Sequence, residues 1–158
     1  MVRGKRLTER EWHRKMAAKE FNVVWSLLEK KRRTKEEDAS MIHAAHSSRH
    51  HWGLVGKPVN IAIGEWQISH VYAVLRRPEP SLYHAALSLD TCRRNRVGDF
   101  ALAFAYEALA RASSLAGDRV ARDRYLAKAR RAGEKIREEE DRKLFFSDLA
   151  SIPGGRVH

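Results

Sequence analysis

Apolar residues recur three and four positions apart along almost the whole chain, and no stretch alternates β-branched with polar residues as a half-buried strand does. The pattern predicts an all-α protein. Start signals divide it into segments. Thr8-Glu-Arg-Glu11 and Thr34-Lys-Glu-Glu37 read as capping boxes, in which the threonine oxygen accepts a first-turn N–H and the glutamate three residues on reaches back. Pro58 and Pro80 suit first-turn positions, where a missing N–H costs nothing, and Asp99 and Asp118 are placed to cap the helices that follow Gly98 and Gly117. Helices are expected over 8–32, 35–54, 58–76, 79–95, 99–116, 118–136 and 138–150.

The connections between these segments are short, so neighbouring helices should lie antiparallel as hairpins over 8–54, 58–95 and 99–136. A last helix then carries Leu144, Phe145, Leu149 and Ile152 behind an acidic first turn and should cap the open end. The first helix spreads Trp12, Met16, Phe21, Val24 and Leu28 around nearly half its circumference, as a helix packed on two sides does. Residues 1–152 are expected to form a single domain and 153–158 a tail; 158 residues suffice for one self-supporting core.

Two hairpins resemble a tetratricopeptide repeat. Setting Leu75-Arg76 on that family's Leu-Gly turn brings Ile68, Ser69 and Tyr72 to its first-helix positions and Ser81, Ala85 and Ser88 to its second. The next hairpin matches through Tyr106, Leu109, Ala110, the turn Ala116-Gly117-Asp118, Leu126 and Ala129. Three features depart from the family: Ser113 at the aromatic position, Arg122 at a small-residue position, and a turn-to-turn spacing of 41 rather than about 34 residues. The resemblance covers about residues 58–132 and implies a TPR-like α-α superhelix whose function is to hold a protein or peptide. It also implies that the inner helices line a groove, with Asn60, Glu65, Gln67, His70, Arg111 and Ser114 as the partner-binding residues.

Charge adds a preference. The net charge is +11, concentrated in residues 1–35 and 119–137. A basic groove favours an acidic peptide, and a short repeat array leaves end faces through which a homo-oligomer could form. The basic residues Arg119, Arg124, Lys128, Arg130, Arg131 and Lys135 also give a second function class, a nucleic-acid-binding surface with salt-sensitive affinity. That reading lacks interleaved aromatics for base stacking.

Candidate chemistry is concentrated in MIHAAHSSRHHW, residues 41–52. On a helical wheel at about 100° per residue, Met41, Ala44, Ala45, Ser48, Trp52 and Val55 form one stripe, while His43, His46 and His50 fall together on the opposite face. His46 and His50, one turn apart, suit a zinc or nickel ion, so a metal-binding protein or metal-dependent enzyme is the third class. The alternative is a solvated histidine face, and no cofactor is required by any motif. His51 falls at the edge of the stripe, where its ring should pack and bond a carbonyl. There is no GxGxxG, P-loop or GxSxG. Cys92 beside Leu89 and Ala85 reads as an inert core thiol rather than a nucleophile with His84. Glu107, between Tyr106 and Ala108, reads as part of an exposed strip; buried, it would need an arginine, histidine or metal partner. One cysteine and no apolar run of membrane length point to a soluble protein of the cytoplasm. Whether it is an enzyme stays open, with a binding role favoured over a catalytic one because no catalytic motif is present.

Overall fold

A computed structural model of the chain describes residues 4–156. Among the described residues there are seven helices and no strand: α1 (Glu9–Leu28), α2 (Lys35–Val55), α3 (Pro58–Val74), α4 (Pro78–Arg94), α5 (Asp99–Leu115), α6 (Arg119–Glu134) and α7 (Glu139–Ala150). Both threonine capping boxes form, and the Asp118 side chain accepts from Ala121 N. Pro58 and Pro80 both occupy first turns. At α5 the cap is Gly98, and Asp99 instead turns into the left-handed region at φ 52°. The first helix stops at Leu28, four residues before the expected end, because the Arg33 guanidinium folds back onto the Leu27 and Lys30 carbonyls and is held there by Asp38 at 2.8 Å. Among the described residues no helix is long and apolar enough to cross a membrane.

The helices pack as adjacent pairs, α1 on α2, α3 on α4 and α5 on α6, and α3 and α5 also touch directly. Small residues make this close packing work. Ala17, Ala62, Ala103, Ser48, Ser88 and Ala129 are all completely buried. Ser48 Oγ donates to the Ala17 carbonyl at 2.7 Å and Ser88 Oγ to the Ala62 carbonyl at 2.8 Å, so each hydroxyl is satisfied by the partner helix it crosses. Ser69 and Ser81 exchange the same kind of bond in both directions.

The turns repeat as well. After α3, Arg77 N bonds the Tyr72 carbonyl and Arg76 N the Ala73 carbonyl; after α5, Asp118 N bonds Ser113 and Gly117 N bonds Ser114. These are two copies of the Schellman motif, and each needs a left-handed residue, Arg76 at φ 59° and Gly117 at φ 79°. The first hairpin joins the second through Val24, Met41, Ala44, Ala45, Ile68 and Val71. At the other end α7 buries Phe145 and Leu149, with Ile152 just beyond, against α5 and α6. Gly133 makes room for the Phe145 ring. Leu144, expected in that cap, is instead 52% exposed. Cys92 is a buried thiol whose pKa burial pushes up to about 11, as an inert core position requires.

Candidate functional site

An open cleft of about 650 Å³ lies where α1, α3, α5 and α7 face one another. Its floor is a row of aromatic rings. Trp25 of α1 lies 5.8 Å from Trp66 of α3, Trp66 meets Phe104 of α5 edge to face at 5.1 Å, and Phe104 contacts Phe100 at 4.5 Å between centroids. Phe21 extends the row along α1, and Leu144 of α7 forms the opposite wall. Asn60 and Asp148 are the polar residues of the lining.

The row is fixed from below by a buried ionic chain. Trp66 Nε1 donates to Glu107 Oε2 at 3.1 Å, and Arg111 Nε donates to Glu107 Oε1 at 2.8 Å. Arg111 Nη2 then reaches the Asp148 carbonyl at 3.0 Å and Ser151 Oγ at 2.8 Å, which ties the end of α7 to α5. Glu107 is completely buried, not exposed, because the part-solvated side of α5 is the one that carries Leu102 and Tyr106, and Glu107 points away from it toward Trp66 of α3. Its partners are the arginine one turn on and an indole from the neighbouring pair. Burial, and then the Glu107 charge, raise the Asp148 carboxyl above its ordinary value. Behind Trp66, His70 stacks on the indole at 5.3 Å; burial pushes its imidazole below the usual value, and its Nδ1 has no partner.

The six residues expected to line a groove are distributed differently. Asn60 lines the cleft and also accepts from Lys57 N at 2.9 Å, so it helps start α3. Gln67 is 1% exposed and uses its amide to bond the Phe21 carbonyl, holding α1 on α3. His70 and Arg111 act behind the rings, and Ser114 sits beside Arg76 and Arg111 in a separate cavity of about 380 Å³. Glu65 is 5% exposed and faces away from the row. Of the six, Asn60 lines the cleft and Arg111 and Ser114 line the smaller cavity, whereas Glu65 and Gln67 are buried, because α1, α2 and α4 cover parts of α3 that a repeat pattern alone leaves exposed.

Around Glu65 lies a second polar cluster. The carboxylate accepts from Arg49 Nε at 2.8 Å and pairs with His84 Nδ1 at 2.7 Å. Burial pushes Glu65 upward, but the bonds and charges of His84 and Arg49 outweigh it and hold the carboxyl below its ordinary value. His46 Nε2 is 3.0 Å from Tyr72 Oη, and the His46 and His84 rings are 5.2 Å apart. Burial, followed by the neighbouring His84, lowers the His46 pKa. His50 instead lies 5.6 Å from the ring of His51, whose Nδ1 bonds not a carbonyl but His13 Nδ1 at 2.9 Å. His43 is exposed. The predicted trio is therefore split between two neighbourhoods, and among the described residues no three histidine, cysteine, aspartate or glutamate side chains converge as metal ligands.

The basic residues of α6 also divide. Lys128 lies over the Tyr106 ring at 5.9 Å, with Arg131 and Lys135 beside it in a shallow cavity, while Arg130 turns to the Gly154 carbonyl at 2.6 Å and Arg124 covers Tyr125. Arg119 is exposed. The aromatic row and Glu107 were absent from the predicted site, although the sequence held a signal: Trp66, Phe100 and Phe104 are large rings on α3 and α5, the helices assigned to the groove, while Trp25 comes from α1, outside that assignment. Comparison of the chain with protein-family models, with curated proteins and with solved structures finds no match in any of the three.

Proposed function

We propose that the protein is a TPR-like scaffold that holds a peptide segment of a partner protein in the aromatic cleft. The observation that carries this reading is the apolar cleft of about 650 Å³ lined by the row of Trp25, Trp66, Phe104 and Phe100, in which Trp25 and Phe100 are half-buried, Trp66 and Phe104 are 8% and 3% exposed, and Glu107 locks the Trp66 indole in place. Apolar clefts with few polar groups are where ligands are bound. The paired helices and the turn motif repeated 41 residues apart support the TPR-like part of the reading.

The occupant is defined by the lining. Two apolar side chains of the peptide, one against the Trp25–Trp66 pair and one against Phe100 and Leu144, contribute about 3–6 kcal/mol before the cost of ordering the peptide. The net charge of +11 raises the local concentration of anionic segments, so acidic residues should flank those anchors.

The test is selection of displayed random peptides on the immobilised protein. Enriched peptides should carry two large apolar residues with nearby aspartate or glutamate, and each should shift the tryptophan emission of the free protein. Leu144→Glu, at a half-exposed wall position that leaves the core intact, should weaken them at least tenfold. Peptides indifferent to Leu144→Glu, or no enrichment at all, refute the reading.

A further inference from the structure

The Glu65 cluster lies outside the cleft, and its geometry is that of a prepared ligand pair. His84, on α4, has its Nδ1 held by a carboxylate that is itself held by Arg49. A neutral imidazole whose Nδ1–H donates to Glu65 keeps its lone pair on Nε2, directed away from that carboxylate. His46, on α2, has Nε2 against the Tyr72 hydroxyl and Nδ1 unbonded; in the tautomer whose Nε2–H donates to Tyr72 Oη, the lone pair is on Nδ1. Anchoring of the outer nitrogen by a carboxylate or hydroxyl is what fixes the tautomer and orientation of metal-bound histidines.

The spacing of the rings agrees with this. Two imidazoles bound to one tetrahedral ion through metal–nitrogen bonds of about 2.0–2.1 Å place their centroids about 5 Å apart. The His46 and His84 centroids are 5.2 Å apart, with the rings inclined at 75°. Neither ring has to cross the protein to reach a shared ion. Of the fixed charges nearby, the Arg49 guanidinium is balanced by Glu65, whose side chain is only 7% exposed, while the Arg77 guanidinium over the Tyr72 ring at 5.4 Å opposes a cation.

We propose that His46 and His84 form a binding site for a single borderline transition-metal dication, zinc, nickel or copper(II), with Glu65 and Tyr72 as positioning residues for the two ligands. Imidazole ligands select this class over magnesium or calcium. The remaining coordination positions are filled by water, which leaves the ion open to a further donor. The site pairs His46 with a histidine of the next hairpin rather than with His50 on its own helix, so an ion bound there also cross-links α2 and α4.

The experiment is calorimetric titration of the tagless full chain with zinc chloride, and separately with copper(II) chloride, in buffer free of chelators. One equivalent should bind, and His84→Ala and His46→Ala should each weaken binding at least tenfold, while His50→Ala should leave it unchanged. Glu65→Gln should weaken it about 10–100-fold, as loss of an outer partner does. Because Glu65 also carries a buried ion pair, the wild-type protein supplies a readout that needs no variant: substoichiometric copper(II) should broaden the imidazole resonances of His46 and His84 before those of His43, His50 and His51. No saturable binding, binding that survives His84→Ala, or binding lost in His50→Ala overturns the proposal. So does copper broadening that begins at His43 or at the His13–His51 pair.

Discussion

Removing the Arg111 charge tests whether the ionic chain beneath the aromatic row is a structural unit. In Arg111→Met the aliphatic stem is retained and the guanidinium is lost, so Glu107, whose side chain is 1% exposed, is left with only the Trp66 N–H. Breaking a buried pair from one side costs about 3–5 kcal/mol, because the remaining charge is desolvated without compensation. For a chain of this size that corresponds to a fall in Tm of about 6–20 °C. Glu107→Gln costs less, about 1.5–3 kcal/mol, since Arg111 is one-fifth exposed and keeps the Asp148 carbonyl and Ser151 as partners, while a glutamine oxygen still accepts from Trp66.

The double variant separates this pair from everything else that Arg111 does. Its bonds to the end of α7 are lost in both Arg111→Met and the double variant, so they cancel in the cycle, and the coupling reports the Glu107–Arg111 term. Urea denaturation followed by helical circular dichroism should give a double variant more stable than the sum of the two losses by about 1–3 kcal/mol. Additivity within about 0.5 kcal/mol, or an Arg111→Met variant as stable as the parent, would show that Glu107 does not depend on this partner and that the row is not held from below.

Two further outcomes follow from local geometry. Arg76 occupies the left-handed position of a Schellman motif at φ 59°, where the equivalent residue of the next hairpin is Gly117, so Arg76→Gly should raise stability by about 1 kcal/mol and Tm by a few degrees; an unchanged or lower Tm refutes the strain argument. His51 and His70 both have imidazoles pushed below their ordinary value near 6.5: His51 by burial and then by His13 and His50, against a weaker pull from Glu20, and His70 by burial against the pull of Glu107. With the folded pKa below the unfolded one, the unfolded chain binds more protons on acidification, so their contribution is intact above about 6.5 and is lost as pH falls from there toward the folded pKa values. The urea midpoint should therefore fall between pH 7.5 and pH 5.5, and a midpoint that stays level or rises contradicts the assignment.

The helix boundaries and pairing were legible because they are set by local chemistry. A threonine three residues before a glutamate satisfies two first-turn N–H groups whatever the rest of the chain does, and both such boxes form. The end of α1 was not legible for a tertiary reason. A run of lysine and arginine suits a helix C-terminus, yet Arg33 stops the helix early by folding back to its carbonyls and fastening to Asp38 on the next helix. The histidine face was legible as a face, since His43, His46 and His50 are all exposed, but the neighbours of each ring were not. A wheel placed His46 opposite the stripe that packs on α1 and α3, and its ring lies beside Tyr72 and His84 of the second hairpin, neighbours that α2 alone could not show.

Glu107 shows how a repeat spacing carries more than a fold. The two equivalent turns, at Arg76 and Gly117, are 41 positions apart, and the hydrogen bond from Trp66 to Glu107 spans the same 41 positions. The same offset relates buried Ala62 to buried Ala103 and buried Ser88 to buried Ala129. In stacked helix pairs, equivalent positions on successive inner helices lie side by side, because each pair is displaced from the last by one repeat. A residue one repeat away is then a natural neighbour for any side chain that points along the stack. An isolated carboxylate in AFAYEALA gives no hint of a partner by local periodicity, yet stepping back one repeat lands on the indole N–H that it accepts from, and stepping forward one helical turn lands on Arg111. The same offset in sequence relates His70 to Arg111, Ile63 to Phe104 and Val59 to Phe100. The aromatic row and the ionic chain beneath it therefore arise from one register, in which the second hairpin supplies the indole and the third supplies the charges that fix it.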